Sequence, residues 1–535
     1  MRVLVADPLD EAGLERLRQG GVELDVRTGL PRATLLSRIG EYEAVIVRSE
    51  TRIDAEVVEA GRRLAVIGRA GVGVDNIDVE AATRRGIVVV NAPEANTISA
   101  AEHTLAMMLA VARRIPWAHH ALAQERRWER RRFVGVQLAG KTLGLVGLGR
   151  IGSEVARRAR AFGMHVLAYD PYVVPERAAE TGVELVELED LLGRSDFISI
   201  HCPLTARTRH LIDAERLRRV RPGAYLVNCA RGGIVDEAAL AEALREGRLA
   251  GAALDVFAEE PPGDNPLLGL PNVVVTPHLG ASTQEAQSAA ALAVAEEVLR
   301  VLAGDVPRHA VNVPAISPDR WAWARPYLDL GRRLGRVFTE LFGLPPAGRI
   351  EIVYRRELAH APESEALTAA TLWGILSPIT PEGVSMANAR LLACQRGIEV
   401  VESHSRPSGD RPGQEAGPAM LVQAQLGGQG QTVSVGGDLG PERRPRLLTI
   451  DGYRVHIEEP GHLLVSEHMD RPGIIGTVGT LLGRHRINIA YMQLGRDRPG
   501  GQAVMVLGVD GPVPEDVLRQ LRQIPDLWNM RAAEW

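Results

Sequence analysis

Lysine is nearly missing from this sequence of 535 residues: Lys and Arg together number 62, yet Lys141 is the only lysine. Enzymes that form a Schiff base, including the pyridoxal enzymes, need a lysine amine as the nucleophile. Lys141 stands at the beginning of a predicted strand, which is a poor place for such a nucleophile. The scarcity of lysine therefore disfavours this class of enzyme.

Cysteine is scarce as well, because Cys202, Cys229 and Cys394 are the only three. They are scattered, odd in number and without the spacing of metal ligands, so the sequence predicts neither a disulfide framework nor a bound metal. Reduced thiols are typical of cytoplasmic proteins, and we expect that location.

Long apolar runs are also missing. No stretch approaches the roughly 18 apolar residues that cross a membrane, and the opening MRVLVADPLDEAG reads as a strand and a turn rather than as a signal peptide. The net charge is −5 and no basic face dominates, which disfavours a nucleic-acid partner. The length predicts about three or four domains.

Glycine, in contrast, is arranged in a recognisable pattern. Residues 141–170 read KTLGLVGLGRIGSEVARRARAFGMHVLAYD, which predicts a strand, a glycine turn, a helix and a second strand. In such a turn Gly147 makes the tight bend, Gly149 lets a pyrophosphate approach the backbone, and Gly152 lets the helix pack on the strand. Asp170 follows the glycine motif by about 20 residues, which is the sequence spacing at which an acidic residue accepts a hydrogen bond from a ribose 2′-OH. Its charge would repel a 2′-phosphate, so we predict NAD rather than NADP.

The first 98 residues predict a parallel sheet, since short β-branched runs alternate with helices. Arg48–Ser49 and Arg69–Ala70–Gly71 fall at carboxyl ends of predicted strands, where open α/β sheets bind ligands. Arginine binds phosphate and carboxylate groups well because its guanidinium group is planar and always charged. The alternative for each is an ordinary solvated surface arginine.

The next segments are a predicted helix at 96–112 and a basic run at 128–133. Ser99 and Glu102 predict a capping box at the start of this helix, and His103 is interpreted as a structural residue. The basic run, which contains Arg130, is either a solvated face or a source of positive charge for an anionic substrate, in this chain or in a neighbouring subunit.

Three polar residues follow strands in the second half of the nucleotide fold. Arg231, Glu260 and His278 each come just after a predicted strand, so all three should meet at one edge of a parallel sheet. Oxidation of an alcohol needs a base such as histidine for the hydroxyl proton, and a carboxylate can orient that base. Arginine can hold a substrate carboxylate. Taken singly, each residue could instead be an ordinary loop or surface residue.

Two further units follow. Residues 313–458 predict mixed helices and strands, with helices at 321–342 and 384–398, a Pro/Gly-rich loop at 405–420, and a type I′ turn at Asp451–Gly452. Residues 461–535 predict a βαββαβ ferredoxin-like unit.

With these motifs in view, residues 1 to about 312 resemble the D-isomer-specific 2-hydroxyacid dehydrogenase family. The sequence motifs that match this family are GRAGVGVDNID, GLGRIG, NCARGGIVDE, LDVFAEEPP and PHLGAST. Within it the chain is most similar to long-form members that act on D-3-phosphoglycerate. The resemblance implies Arg231, Glu260 and His278 as the catalytic set. It implies NAD contacts at Gly147, Gly149, Arg150, Ile151, Gly152, Asp170, Cys202, Cys229, Ala230, Arg231, Asp255, His278, Leu279, Gly280 and Ala281. It implies substrate contacts at Arg48, Ser49, Arg69, Gly71, Asn96 and, across a dimer, Arg130.

The resemblance also implies the organisation of the chain. The fold class is α/β, with two doubly wound parallel-sheet (Rossmann-like) domains, an α+β intervening domain and a ferredoxin-like ACT domain. The expected boundaries are 1–98 with 284–312 for substrate binding, 99–283 for NAD binding, 313–458 for the intervening domain and 459–535 for the ACT domain. We expect a homodimer or homotetramer.

The last unit resembles the amino-acid-binding ACT domain. Asp470 and Asn488 match effector-contacting positions, and His468 stands where related enzymes often have tyrosine. The resemblance implies L-serine as the effector; the alternative is a unit used only for assembly. For the whole chain, two other functions stay open: a dehydrogenase or reductase of another D-2-hydroxy acid or its 2-oxo form (glycerate, lactate, hydroxypyruvate), and non-catalytic sensing of NAD.

Overall fold

A computed structural model describes residues 1–535 except 345–347, 381–382, 406–416, 427–430 and 497. Most of the predicted Pro/Gly-rich loop at 405–420 thus lies outside the described residues. Within the described part, no helix is long and apolar enough to cross a bilayer.

The first unit is a five-stranded sheet with all strands parallel, in the order β2-β1-β3-β4-β5. Its third strand is buried along its whole length, as expected when helices cover both faces of a parallel sheet. Its elements are β1 (Arg2–Val5), α1 (Glu11–Gln19), β2 (Glu23–Val26), α2 (Arg32–Arg38), β3 (Ala44–Val47), α3 (Ala55–Ala60), β4 (Val66–Arg69), α4 (Val79–Arg84) and β5 (Val88–Asn91).

The second unit is a seven-stranded parallel sheet in the order β12-β11-β10-β9-β6-β7-β8. Its elements are α5 (Thr97–Ala112), α6 (Ile115–Ala123), β6 (Thr142–Val146), α7 (Arg150–Ala161), β7 (His165–Tyr169), α8 (Pro175–Glu180), β8 (Glu184–Leu185), α9 (Leu188–Arg194), β9 (Phe197–Ile200), α10 (Ala214–Arg219), β10 (Ala224–Asn228), α11 (Glu237–Arg245), β11 (Leu249–Leu254) and β12 (Val273–Val275).

The chain crosses between these two sheets twice. Helix α5 begins after β5, and α12 (Gln284–Leu302) returns from β12 to the first sheet. There Val294 and Val298 are buried, and a Cβ on Gly68 would lie within about 3.1 Å of both. Residues that follow strands of both sheets line one cleft between the sheets.

The predicted capping box at Ser99 and Glu102 is wrong. Helix α5 begins at Thr97, and its N-cap, Asn96, makes no side-chain capping bond. The Ser99 hydroxyl instead donates to the carbonyl oxygens of Asn96 at 3.1 Å and Gly280 at 2.9 Å. The hydroxyl thus bonds to a nearby and to a distant carbonyl oxygen and does not cap the helix.

The third unit packs two crossing helices on a six-stranded mixed sheet of order β14-β13-β15-β16-β17-β18. Its elements are α13 (Pro318–Phe342), β13 (Arg349–Arg355), α14 (Ser364–Leu376), α15 (Ala389–Gln395), β14 (Glu399–Ser405), β15 (Met420–Leu426), β16 (Gln431–Leu439), β17 (Pro445–Ile450) and β18 (Tyr453–Ile457). The φ angles of 48° at Asp451 and 80° at Gly452 confirm the predicted turn.

The helix predicted over 384–398 is much shorter, because α15 spans only seven residues. Just before it, the Asn388 side chain accepts from Ser385 N at 3.0 Å and donates to Gly383 O at 2.6 Å. These bonds hold the preceding segment in a turn.

The fourth unit is a four-stranded antiparallel sheet of order β20-β21-β19-β22, which confirms the βαββαβ prediction. Its elements are β19 (His462–Met469), α16 (Ile474–Arg484), β20 (Ile489–Arg496), β21 (Gln502–Val509), α17 (Glu515–Leu521) and β22 (Leu527–Glu534). One face carries the two helices, and the other shares a core with α13 through Val504, Val506 and Trp535.

Candidate active site

The glycine turn after β6 has two glycines fixed by packing and one that faces open space. A Cβ on Gly147, whose φ is 105°, would lie 2.8 Å from the His201 carbonyl, and one on Gly152 would lie 2.4 Å from Gly147 O. A Cβ on Gly149 would meet nothing within 4 Å. The protein itself does not require glycine at 149, but a pyrophosphate approaching the backbone would.

The start of α7 offers hydrogen-bond donors at the same place. Gly149 is its N-cap and provides no side-chain capping bond, so the first N–H groups, including those of Arg150 and Ile151, are available to phosphate oxygens. The Arg150 side chain itself points to Glu94, at 3.6 Å.

The Asp170 carboxylate is bonded to the glycine turn. Its Oδ2 accepts from Leu148 N and its Oδ1 from Tyr172 N, each at 2.9 Å. An acceptor is thus fixed beside the turn, where the ribose of a dinucleotide lies in this fold. The residues present fit NAD.

Exchanging Asp170 for alanine should weaken NAD binding and narrow the preference for NAD over NADP. The change removes a hydrogen-bond acceptor for the 2′-OH and a charge that repels a 2′-phosphate. Dissociation constants of both cofactors, measured by fluorescence titration, test this. Asp190→Ala, at an exposed acid on α9, is the control. Equal binding of NAD and NADP by the unchanged protein would contradict the role of Asp170.

A cleft of about 600 Å³ lies between the carboxyl ends of the two parallel sheets. It brings together most of the residues predicted to bind substrate with the whole predicted catalytic set. Its lining includes Arg48, Ser49, Arg69, Gly71, Asn96, Arg231, Glu260, His278 and Ala281. Arg130 is the exception, because it lies in an exposed 3₁₀ turn and does not line the cleft of its own chain.

His278 and Glu260 form a pair in this cleft. His278 Nδ1 and Glu260 Oε2 are 2.7 Å apart, and Glu260 Oε1 accepts from Phe257 N at 3.1 Å. Burial alone would raise the pKa of Glu260, but the hydrogen bond and charge of His278 outweigh it and lower that pKa below its ordinary value. Glu260 is therefore a carboxylate, bonded to one ring nitrogen of His278, and the other nitrogen is left for a substrate.

The backbone at His278 is held in an unusual conformation by a buried acid. His278 has a φ of 55°, and its N–H donates to Asp255 O at 2.8 Å. The fully buried Asp255 carboxylate accepts from Leu279 N at 2.7 Å, Gly280 N at 2.8 Å and the Thr276 hydroxyl at 2.6 Å. Asp255 thus fixes the turn that carries His278, while its contact with NAD stays a prediction.

Helix α5 contributes to the same network through His103. Its Nε2 lies 3.1 Å from Asp255 Oδ1 and 3.2 Å from Thr276 Oγ1. This agrees with the structural interpretation of His103, although its link to the catalytic turn could not be seen in a single sequence.

Two of the residues predicted to contact NAD are cysteines of intermediate exposure. Cys202 follows β9, and burial raises its pKa to about 11. Cys229 follows β10, and burial raises its pKa also. Both are therefore neutral thiols. Ala230 N donates to Asn228 Oδ1 at 3.1 Å, so β10 ends in a fixed turn.

The arginines of the cleft have unequal surroundings. Arg69 Nε is buried without a hydrogen-bond partner among the described residues. Burial, with the positive charge of Arg231 next in effect, lowers the pKa of Arg69 to about 10. Arg231 donates to Asp75 Oδ2 at 3.1 Å. A partly desolvated guanidinium with unused donors, beside a second one, is suited to an anionic ligand.

Three residues outside the predicted set support these arginines. Buried Asp7 accepts from Arg48 N at 2.6 Å, and Asn76 donates to Arg48 O at 2.8 Å. Asp75 pairs with Arg231. Asp7 lies two residues after the end of β1, so the strand-end argument applied to Arg48 could have found it. Asp75 and Asn76 lie within the quoted motif GRAGVGVDNID, but their partners depend on the tertiary fold.

The three predicted effector residues do not form one site within a chain. Asp470 Oδ2 accepts from Arg496 at 3.0 Å and from Gly500 N at 3.2 Å, at the end of β20. Asn488 lies just before β20 and donates to Asp510 at 2.9 Å. The eight residues of this strand separate the two by roughly 25 Å.

His468 is buried on β19, and burial lowers its pKa. Its Nδ1 has no hydrogen-bond partner in the described part of the chain.

Comparison with known proteins agrees with this architecture. The model of the D-isomer specific 2-hydroxyacid dehydrogenase NAD-binding domain matches residues 105–280, that of the D-3-phosphoglycerate dehydrogenase intervening domain matches 324–451, and that of the ACT domain matches 462–526. A D-lactate dehydrogenase from Aquifex aeolicus, solved with NAD and lactic acid, is 29% identical with a TM-score of 0.53, over 59% of this chain and all of its own. A protein of known structure from Thermus thermophilus is 44% identical with a TM-score of 0.54, over 58% of this chain and all of its own.

The fold and the cleft define an NAD-dependent oxidoreductase of the D-2-hydroxyacid type. Relatives match over nearly the whole length: the D-3-phosphoglycerate dehydrogenases of Methanocaldococcus jannaschii and Archaeoglobus fulgidus are 46% and 44% identical, each covering 98% of both chains. That of Bacillus subtilis is 40% identical over 99% of both chains. The chain belongs to the D-3-phosphoglycerate dehydrogenase family.

Proposed function

We propose that the protein oxidises D-3-phosphoglycerate to 3-phosphohydroxypyruvate with NAD. This reaction is the first step of the phosphorylated pathway of L-serine biosynthesis. The observation that carries this is the cleft itself: Arg48, Arg69 and Arg231 line one space with the His278–Glu260 pair, and Arg69 Nε has no partner of its own among the described residues. A substrate with a carboxylate and a phosphate would supply the missing negative charge.

The cleft residues suggest a division of labour. NAD, when bound, supplies the acceptor for the hydride that leaves the substrate carbon. His278 accepts the hydroxyl proton on the ring nitrogen that Glu260 leaves unused, and Glu260 stabilises the protonated imidazole that results. Arg231 holds the substrate carboxylate and polarises the forming carbonyl oxygen. Arg48, Arg69, Ser49, Gly71 and Asn96 bind the remainder of the substrate.

We propose the domain boundaries on the same basis: 1–98 with 284–312 for the substrate, 99–283 for NAD, 313–458 for the intervening domain and 459–535 for the ACT domain. Each range contains one of the four sheets, and the cleft lies where the first two ranges meet. A cytoplasmic location remains a prediction.

Turnover of a panel of 2-hydroxy acids with NAD, followed by NADH absorbance, tests the reaction. We expect phosphoglycerate to give the highest kcat/KM. Preference for lactate or glycerate, or for hydroxypyruvate when the reverse reduction is followed with NADH, would replace this substrate by an unphosphorylated one. The absence of turnover with every acid, despite NAD binding, would favour a non-catalytic NAD sensor.

We propose a homodimer or homotetramer in which Arg130 reaches the neighbouring subunit's cleft. The support is the exposure of apolar residues that precede and follow it in the chain: Trp128 and Val134 are 75% and 73% exposed, and Ile115 and Leu122 on α6 are exposed as well. Large exposed apolar side chains are typical of a subunit interface when they form a patch.

We also propose that L-serine regulates the enzyme by binding between two copies of the last unit. β20 is an edge strand, and its Met492 and Leu494 are exposed. If two β20 strands pair antiparallel, the start of one lies beside the end of the other. Asn488 of one copy would then approach Asp470 of the second, and the two could hold the ends of an amino acid.

L-Serine should therefore inhibit without competing with phosphoglycerate, and Asp470→Ala should abolish the inhibition while leaving kcat within about twofold. The reason is that the carboxylate which would bind the serine ammonium lies in a different unit from the cleft. Initial rates over a grid of serine and substrate concentrations test this. Asp516→Asn, an exposed acid on α17, should keep the inhibition. Calorimetry that detects no serine binding would leave the unit as an assembly device.

A further inference from the structure

The loop after β4 places Asp75 against Arg231, across the cleft between the two parallel sheets. Asp75 Oδ2 accepts from Arg231 Nε at 3.1 Å. A Cβ on Gly73 would lie only 2.0 Å from Arg231 Nη2, so the guanidinium also rests on the backbone of this loop. Arg231 belongs to the second sheet unit and Asp75 to the first, so the contact joins the two.

The contact leaves Arg231 with a defined set of free donors. A guanidinium has five N–H groups. Asp75 takes the one on Nε, and Ala230 O takes one on Nη1 at 2.7 Å. Among the described residues the guanidinium has no further hydrogen-bond partner, so the second N–H on Nη1 and both on Nη2 are left for a ligand. The backbone of Arg231 is fixed as well, since its carbonyl accepts from Asn228 Nδ2 at 2.9 Å.

Asp75 also changes the charge of the cleft. Arg69 and Arg231 repel each other, and the negative charge of Asp75 opposes the lowering of the Arg69 pKa that Arg231 causes. The Asp75 side chain is 70% exposed, whereas that of Arg231 is 27% exposed. So exposed an ion pair adds little to stability, and its effect falls on the orientation of Arg231 and on the net charge of the cleft.

We propose that Asp75 is a positioning residue for Arg231 and that its charge limits how tightly the cleft binds a phosphorylated acid. The inference rests on the proposed function, because it assigns the substrate carboxylate to Arg231. Two properties of one side chain are separable here. The acceptor oxygen orients the guanidinium, and the charge offsets one of the arginines.

Two substitutions separate these properties. Asp75→Ala removes both, and it should lower kcat by about tenfold or more because a misplaced guanidinium no longer meets the substrate carboxylate and the forming carbonyl oxygen. Asp75→Asn keeps an acceptor but loses the charge. It should hold kcat within about threefold and lower the KM for phosphoglycerate. NAD binding and the thermal midpoint should be unchanged in both, and Glu80→Gln, which breaks an exposed pair with Arg84 on α4, is the matched control.

A double-mutant cycle with Arg231→Ala decides whether Asp75 acts through Arg231. In that background, Asp75→Ala should have less than about a twofold further effect on kcat. Phosphoglycerate should still bind somewhat more tightly to the NADH complex, which cannot react, because the charge of Asp75 also acts on Arg69. A full tenfold loss of kcat there, or an Asp75→Asn variant as slow as Asp75→Ala, would overturn the proposal. If the protein prefers an unphosphorylated acid, the proposed function fails, yet the ratio of variant to wild-type kcat on that acid still tests the positioning role.

Discussion

His278→Gln should lower kcat by about 10²–10⁴-fold while the dissociation constant of NAD changes little. An amide cannot take the hydroxyl proton as hydride leaves, and a positioned general base contributes about that factor. Glutamine keeps a polar side chain at a position where the backbone φ is 55°. Steady-state rates and NAD titration, on protein with an unchanged thermal midpoint, make the measurement.

The matched control is His210→Gln, which also alters an exposed histidine with a positive φ, of 50°, but outside the cleft. It should leave kcat within about twofold. Near-normal turnover of His278→Gln would remove His278 from the mechanism.

Glu260→Gln adds a dependence on pH to the same test. The pKa of Glu260 is lowered in the folded protein, so its negative charge is present above the ordinary carboxyl range and is lost only when the pH falls through the lowered value. The neutral amide provides no charge to stabilise a protonated His278. We therefore expect the pH–rate profile to move to lower pH. An identical profile would mean that the 2.7 Å contact between the two side chains has no catalytic effect.

Arg69→Met should reduce kcat/KM for phosphoglycerate by roughly 10- to 150-fold, since a hydrogen bond to a charged group contributes about 1.5–3 kcal/mol. The buried Nε of Arg69 has no protein partner among the described residues, so the substitution removes few bonds from the protein itself. Methionine fills much of the same space. The loss should largely vanish with glycerate, which lacks the phosphate.

Arg84→Met provides the comparison, because Arg84 is exposed, pairs with Glu80 and lies outside the cleft. Its kcat/KM should stay near that of wild type with both acids. Equal losses for Arg69→Met on the two substrates would instead indicate carboxylate binding or damage to the fold.

Short sequence patterns predicted many of the turns and secondary-structure elements, because these patterns determine the local backbone conformation. The glycine spacing at 147, 149 and 152 predicted the turn between β6 and α7, and the Asp451–Gly452 pair predicted the turn between β17 and β18. In both cases the conformation depends on a few consecutive residues. Where a side chain had a competing distant partner, the local argument was wrong: Ser99 bonds to Gly280 instead of capping α5.

Sequence patterns were enough to predict that Arg231, Glu260 and His278 follow strands of one parallel sheet, and the carboxyl ends of such strands meet at one edge. What surrounds these residues depends on the tertiary structure. It set Asp255 and His103 beneath the turn of His278, paired Asp75 with Arg231 across the cleft, and left Arg69 Nε without a partner among the described residues. It also separated Asp470 from Asn488 by the length of β20. The physical reason is that strand ends are set by short-range periodicity, whereas these contacts join residues far apart in the chain, whose distances depend on how the sheets and helices pack.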